Sequence, residues 1–60
     1  MEPDFLTVGE IAEKLRVKVY TVREWIRKKE LPAYKVGRDY RIAKEDYERF
    51  LRKRKTTNES

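Results

Sequence analysis

Apolar residues at Val8, Ile11, Ala12 and Leu15 recur at i, i+3, i+4 and i+7, the spacing of one helix face, and predict a short amphipathic helix over residues 8–15. Thr7, with Glu10 three residues on, supplies a capping box, and Leu6 and Ile11 take the two positions of a hydrophobic staple. Arg16-Val17-Lys18 leaves room only for a tight turn, with Val17 closing the corner between two helices. The second helix is predicted over residues 19–29. At about 100° per residue, Val19, Val22, Trp25, Ile26 and Lys29 share one side, Tyr20, Glu24 and Arg27 point the opposite way, and Thr21, Arg23 and Lys28 flank them. Pro32 has no N–H and biases Leu31 to extended backbone, so the helix ends before them.

Residues 33–42 predict a β-hairpin around Gly37. A Gly37-Arg38 loop would pair Val36 with Asp39 and Tyr34 with Arg41, setting charge against apolar groups. A Gly37-Arg38-Asp39 loop pairs Val36 with Tyr40 and Tyr34 with Ile42, which gives one apolar inner face and places Lys35 opposite Arg41 on the other. Directly opposed residues share a face, so the longer loop is the expectation. Like charges at 35 and 41 repel unless an anion or solvent screens them. A third helix is predicted over residues 44–55 from Tyr47, Phe50 and Leu51, with Glu45 and Asp46 in its first turn and Arg52–Lys55 in its last, both of the sign the helix dipole favours. Residues 1–4 and 56–60 read as tails of a single domain spanning 1–60 and ordered over about 5–55.

Composition narrows what such a chain does. Sixty residues bury one small core and leave no room for a deep pocket. There is no Cys and no His, which removes thiol chemistry, disulfides, the commonest general base and the commonest metal ligand. Serine occurs only as Ser60, and Gly9 and Gly37 are too far apart for a Gly-rich phosphate loop. No membrane-length apolar run or signal-peptide pattern is present. The expectation is a cytoplasmic, nucleoid-associated module that is not an enzyme and takes no cofactor, metal, small-molecule substrate or membrane. With 16 Lys+Arg against 11 Asp+Glu the net charge is +5, which points to an acidic partner, most often nucleic acid. The charge is laid out in blocks: acidic at Glu2, Asp4, Glu10 and Glu13, basic from Arg16 to Lys29, basic again from Lys35 to Lys44, acidic at Glu45, Asp46 and Glu48, and basic from Arg49 to Lys55. The acidic cluster at 45–48 has helix-start spacing and no His or Cys beside it, so it reads as a solvated first turn.

Two helices joined by a three-residue turn, then a hairpin, then a helix, is the element order of a winged helix-turn-helix: mainly α with a small β-hairpin, the two-stranded wing preceding a C-terminal helix. Residues 6–51 resemble the excisionase-type, MerR-like helix-turn-helix DNA-binding domain. The resemblance is carried by Leu6-Thr7-Val8 with Glu10, Ala12 and Leu15; by Val17 with Thr21-Val22 and Trp25; by Leu31-Pro32-Ala33; by Gly37-Arg38 with Arg41-Ile42; and by Asp46 with Phe50-Leu51. It implies small bacterial or phage proteins that act as recombination directionality factors, bending attachment-site DNA for an integrase, or as compact transcription regulators. Carried over by position, Lys18, Tyr20, Thr21 and Arg23 lie where the recognition helix meets DNA, and Arg38 and Arg41 lie on the wing. The chain departs from the family pattern at Lys18, where a Ser or Thr cap is usual, and at Lys29, where Gly often ends the helix. Lys18 weakens the helix start or leaves it to a bound phosphate, and a left-handed Lys29 costs roughly 1 kcal/mol.

Each candidate has a plainer alternative. Trp25 is a stacking platform in one reading, but it shares a side with Val22 and Ile26 and is assigned to the core, as are Tyr47 and Phe50. Tyr34 and Tyr40 are assigned to the wing's inner face. Tyr20 points outward among bases and is read as a DNA contact, to a phosphate or a thymine methyl, against a surface ring lying on Lys14 or Arg16. Thr21 contacts DNA or caps locally. Arg23 and Arg27 fit guanine edges, with phosphate contact or solvation as the alternatives. Glu24 accepts from cytosine or, preferably, pairs with Arg27 and Lys28 along the helix. Lys28 and Lys35 join the candidate DNA contacts, and Arg38 and Arg41 are assigned to backbone or minor groove. The expected function is sequence-preferring double-stranded DNA binding, with helix 19–29 in the major groove and wing 33–42 on the backbone. An integrase or recombinase, or further copies of an otherwise monomeric chain, would be additional partners on the DNA. The alternative is a basic protein-interaction module of a phage or recombination complex.

Overall fold

Thr7 ends a short strand and begins a helix, and the rest of the fold is hung from that junction. In the computed structural model, which describes residues 4–55, the order is β1 (Phe5–Thr7), α1 (Val8–Leu15), α2 (Val19–Arg27), β2 (Tyr34–Val36), β3 (Asp39–Ala43) and α3 (Lys44–Arg54). The expected capping box is present: the Thr7 hydroxyl accepts from the Glu10 N–H at 3.0 Å, and the Glu10 carboxylate accepts from the Thr7 N–H at 2.9 Å. Leu6 and Ile11, the two staple residues, are both buried in the core.

Helices α1 and α2 end in the same way. After α1 the Arg16 N–H bonds to Glu13 and the Val17 N–H to Ala12, and after α2 the Lys29 N–H bonds to Ile26 and the Glu30 N–H to Trp25. This is the Schellman arrangement, which needs a left-handed residue one step past the cap. Arg16 has φ 57° and Lys29 φ 65°. Glycine takes that conformation freely, whereas a residue with a Cβ gives up roughly 1–2 kcal/mol. The second helix therefore stops at Arg27, short of the expected Lys29, which is exposed rather than on the buried side.

The sheet is three-stranded and antiparallel, in the order β1-β3-β2: the expected two-stranded wing, β2–β3, is present, and β1 adds to it on the β3 side. Strand β1 sets Leu6 opposite Ile42 and Thr7 opposite Arg41. On the other side β2 pairs Tyr34 with Arg41, Lys35 with Tyr40 and Val36 with Asp39, closing a two-residue Gly37-Arg38 loop. The expected three-residue loop, its Val36–Tyr40 and Tyr34–Ile42 pairs, and Lys35 opposite Arg41 are all corrected by this register. Two physical causes account for it. Gly37 at φ 63° supplies the positive φ that a tight hairpin turn wants at its first central position. The premise of a single apolar face also fails, because Tyr34 finds a partner on the outer face: its ring meets Phe5 edge-on, with centroids 5.8 Å apart. Tyr34 is accordingly 61% exposed on the outer face, while Tyr40 lies half-buried against the core with Ile42.

The core comprises Leu6, Val8, Ile11, Ala12, Val22, Leu31, Ile42 and Phe50, with Trp25 and Tyr47 packed against it as expected. Ile11, Val22, Leu31 and Ile42 are fully enclosed and come from α1, α2, the loop after α2, and β3. Helix α3 follows β3 directly, and its first N–H, of Lys44, donates to the Asp4 carbonyl at 3.0 Å. Asp4, expected in a tail, is thus tied to α3, while residues 1–3 and 56–60 of the expected tails lie outside the described residues. The whole is a winged helix-turn-helix with one strand more than the hairpin requires.

Candidate nucleic-acid interface

Helix α2 buries Val22 and packs Trp25 and Ile26 inward, so the 3.6-residue period turns Tyr20, Arg23 and Arg27 out to solvent. Tyr20 is 68% exposed, an unusual state for an aromatic ring in the middle of a charged helix face. Val19, expected on the buried stripe, is instead 43% exposed and lines a surface groove. Thr21 is half-buried. Lys18 is the N-cap of α2 and makes no side-chain cap bond, as its lack of an acceptor dictates, so the first amides of α2 are left to an outside acceptor. At the other end Lys28 is the exposed C-cap.

Glu24 is the one acidic residue in α2. The Arg27 Nη2 donates to both of its carboxylate oxygens, at 2.8 and 2.6 Å. That hydrogen bonding, together with the charge of Glu24, pushes the Arg27 guanidinium above the usual arginine range. The preferred pairing of Glu24 thus holds for Arg27, and the carboxylate is engaged there. Arg27 itself remains 73% exposed at its side chain.

The wing brings its own cations beside this face. Arg38 stands exposed in the Gly37-Arg38 turn, and Arg41 sits mid-sheet, flanked by Thr7 and Tyr34, with its Nη1 donating to the Tyr40 carbonyl at 3.3 Å. Lys35 is exposed on β2, in register with Tyr40. A groove of about 220 Å³ joins the two elements, lined by Val8 and Gly9 of α1, Val19 and Arg23 of α2, and Asp39, Tyr40 and Arg41 of β3. Arg23 and Arg41, far apart in sequence, therefore border one groove. Sequence reasoning did not find the part played there by Val19 and by the start of α1. The exposure of Val19 was not legible from periodicity, which places it next to Ile26.

Among the described residues no polar or charged side chain is buried, no acidic or His/Cys cluster has metal-ligand geometry, and no helix is long and apolar enough to cross a membrane. The face formed by α2 and the wing carries Arg23, Arg27 and Arg38 exposed and Arg41 half-buried. The family model for the helix-turn-helix domain matches residues 5–55.

The chain belongs to the helix-turn-helix domain family.

Helix-turn-helix domains bind double-stranded DNA, and in this one α1, the Arg16–Lys18 turn and α2 form the motif. The chain is similar to an uncharacterised protein of Bacillus subtilis (strain 168), YvgK, with 41% identity over 49 residues that cover 82% of this chain. The chain spans only 16% of that relative's length, so the likeness concerns this helix-turn-helix segment alone. No solved structure matches the chain.

Proposed function

We propose that this helix-turn-helix domain is a sequence-preferring double-stranded DNA-binding module of the excisionase-type, MerR-like kind, acting as a small transcription regulator. Helix α2 enters the major groove, and the β2–β3 wing rests on the adjacent backbone or minor groove. The observation that carries the reading is the shared groove of Arg23 and Arg41, with Tyr20 exposed on the same helix. That adjacency supports a division of labour in which α2 reads bases and the wing grips the backbone. Arg23 is the candidate for a guanine edge, Tyr20 and Thr21 for a phosphate or thymine methyl, and Arg38, Arg41 and Lys35 for the wing's phosphates. Lys18, Lys28 and the uncapped amides of α2 add phosphate contacts at the helix ends.

The test is fluorescence anisotropy with a labelled random-sequence duplex across a salt series, with unlabelled single strand and RNA as competitors. Duplex preference with a log–log salt slope of about −4 to −5 is expected, from roughly five phosphates neutralised at ~0.9 each. Absence of duplex binding at about 50 mM salt overturns the reading and leaves the basic face as a protein-docking surface.

A further inference from the structure

The recognition face carries a feature that works against affinity. A carboxylate near a DNA groove is repelled by phosphate, yet Glu24 sits one turn from the exposed Tyr20 on α2, its side chain 21% exposed. It is not a bare charge, because both of its oxygens contact Arg27, and Arg27 has no other side-chain hydrogen-bond partner among the described residues. We infer that Glu24 is a specificity-determining residue that acts through Arg27. By holding that guanidinium in a two-contact ion pair it withdraws one cation from indiscriminate attraction to phosphate.

Sequence-independent affinity scales with the number of phosphates the protein neutralises, and each free cation on the face adds one. An arginine already paired to a carboxylate on its own helix contributes less to that count, since reaching a phosphate means giving up two charge-assisted contacts, which are screened here by the 73% exposure of Arg27. Base recognition by Arg23, Tyr20 or Thr21 does not depend on Arg27 and is retained. Base contacts hold the chosen complex in one register, whereas random complexes form in many, so a freed Arg27 would find phosphate more often on random DNA, and holding it in the pair raises the ratio between the two. This is discrimination by suppressing the wrong complex, and α2 has the residues for it at i and i+3.

The inference rests on the DNA-binding reading above, and its test separates the two. Wild type, Glu24→Gln, Arg27→Ala and the double variant are titrated against a random duplex and a duplex selected from a random library, each over a salt series. Glu24→Gln is expected to bind the random duplex about two- to fivefold more tightly at ~0.1 M salt, with a steeper slope, and to lose selectivity for the chosen duplex. In the Arg27→Ala background the same Glu24→Gln change is expected to give less than half of that gain on a logarithmic scale, because no guanidinium is released. Equal gains in the two backgrounds overturn the inference, since Glu24 then acts as an independent charge. A loss for Glu24→Gln confined to one base pair of the selected duplex also overturns it, because Glu24 then reads a base directly. If wild type shows no duplex binding at all, the DNA-binding reading falls and takes this inference with it; wild-type binding with an unchanged Glu24→Gln removes the inference alone. Neither side chain belongs to the buried core, and matching circular dichroism and urea midpoints confirm that each variant is folded.

Discussion

The guanidinium of Arg54, in the last turn of α3, lies 5.2 Å from the centre of the Trp25 ring on α2 and 4.6 Å from that of Phe50. The two rings lie against each other at 4.9 Å, and Arg54 also pairs with Glu30 just beyond α2. One side chain thus covers the open side of the core and bridges the third helix to the second. Arg54 is roughly half exposed, so its ion pair is screened, and the stacking carries more of the effect. Arg54→Ala is expected to cost about 0.5–1 kcal/mol and Arg54→Lys about half of that, since lysine keeps the charge and loses the planar stack. Urea denaturation followed by Trp25 fluorescence measures both, and a midpoint unchanged in the alanine variant refutes the bridge.

Removing the α1 cap is expected to weaken the whole domain. Thr7→Ala deletes the acceptor for the Glu10 N–H and should lower stability by about 1 kcal/mol, or about 4–8 °C in Tm for a domain of this size. Thr7→Ser keeps the acceptor and should fall within a few tenths of a kcal/mol of wild type. Thermal melts of the two variants side by side decide the matter.

Glycine at either left-handed position should stabilise. Arg16→Gly and Lys29→Gly relieve the Cβ strain at φ 57° and 65°. Part of the relief is returned as extra freedom of the unfolded chain, leaving a gain of about 0.5–1 kcal/mol each. The two sit at the ends of different helices, so the gains should add in the double variant. A drop in the urea midpoint would mean that these long side chains hold something the backbone geometry does not reveal.

On DNA, the two arginines of the shared groove should behave differently. Arg23→Ala is expected to relax preference at one base pair by about 1–3 kcal/mol while leaving random-duplex affinity little changed. Arg41→Ala is expected to weaken all duplexes alike and to reduce the salt slope by about 1. Competition titrations with single-base-pair variants of a selected site separate these outcomes, and a sequence-specific loss for Arg41→Ala contradicts the assignment of the wing to the backbone.

What could be read from the chain was what local rules determine. Thr7 and Glu10 at capping-box spacing, the Val8–Leu15 stripe, the turn at 16–18 and the Glu24–Arg27 pair all follow from neighbours within a turn of helix, whereas the left-handed Lys29 came only through the resemblance to a family that often has Gly there. The misreadings of the sheet all involve β1. Three residues, Phe5-Leu6-Thr7, are too few for a strand period, and Leu6 and Thr7 already had a complete explanation as staple and cap. Without β1 the outer face of the wing had no apolar partner, so Tyr34 was turned inward and the hairpin slipped by one position, a slip that moves each β2 residue to the other face. Arg16 offered no signal of its left-handed backbone, because that position is usually marked by Gly or Asn. At the interface, Arg23 was legible from the helix period. Its meeting with Arg41 was not, since it depends on how the sheet docks against α2.

The pairing of Leu6 with Ile42 also bears on how the chain folds. Most of the structure forms from near neighbours, but this contact closes a loop that contains both helices of the motif, β2 and the hairpin turn. Its closure entropy must be met before the pairing is rewarded, so β1 should dock late, after α1 and α2 have met. Once docked, it joins the start of α1, the middle strand and, through Asp4 and Lys44, the start of α3. Opening any of these exposes the others. The Ile42 amide should accordingly exchange with solvent only on global unfolding, and the recognition surface should melt in a single transition with the core beneath it.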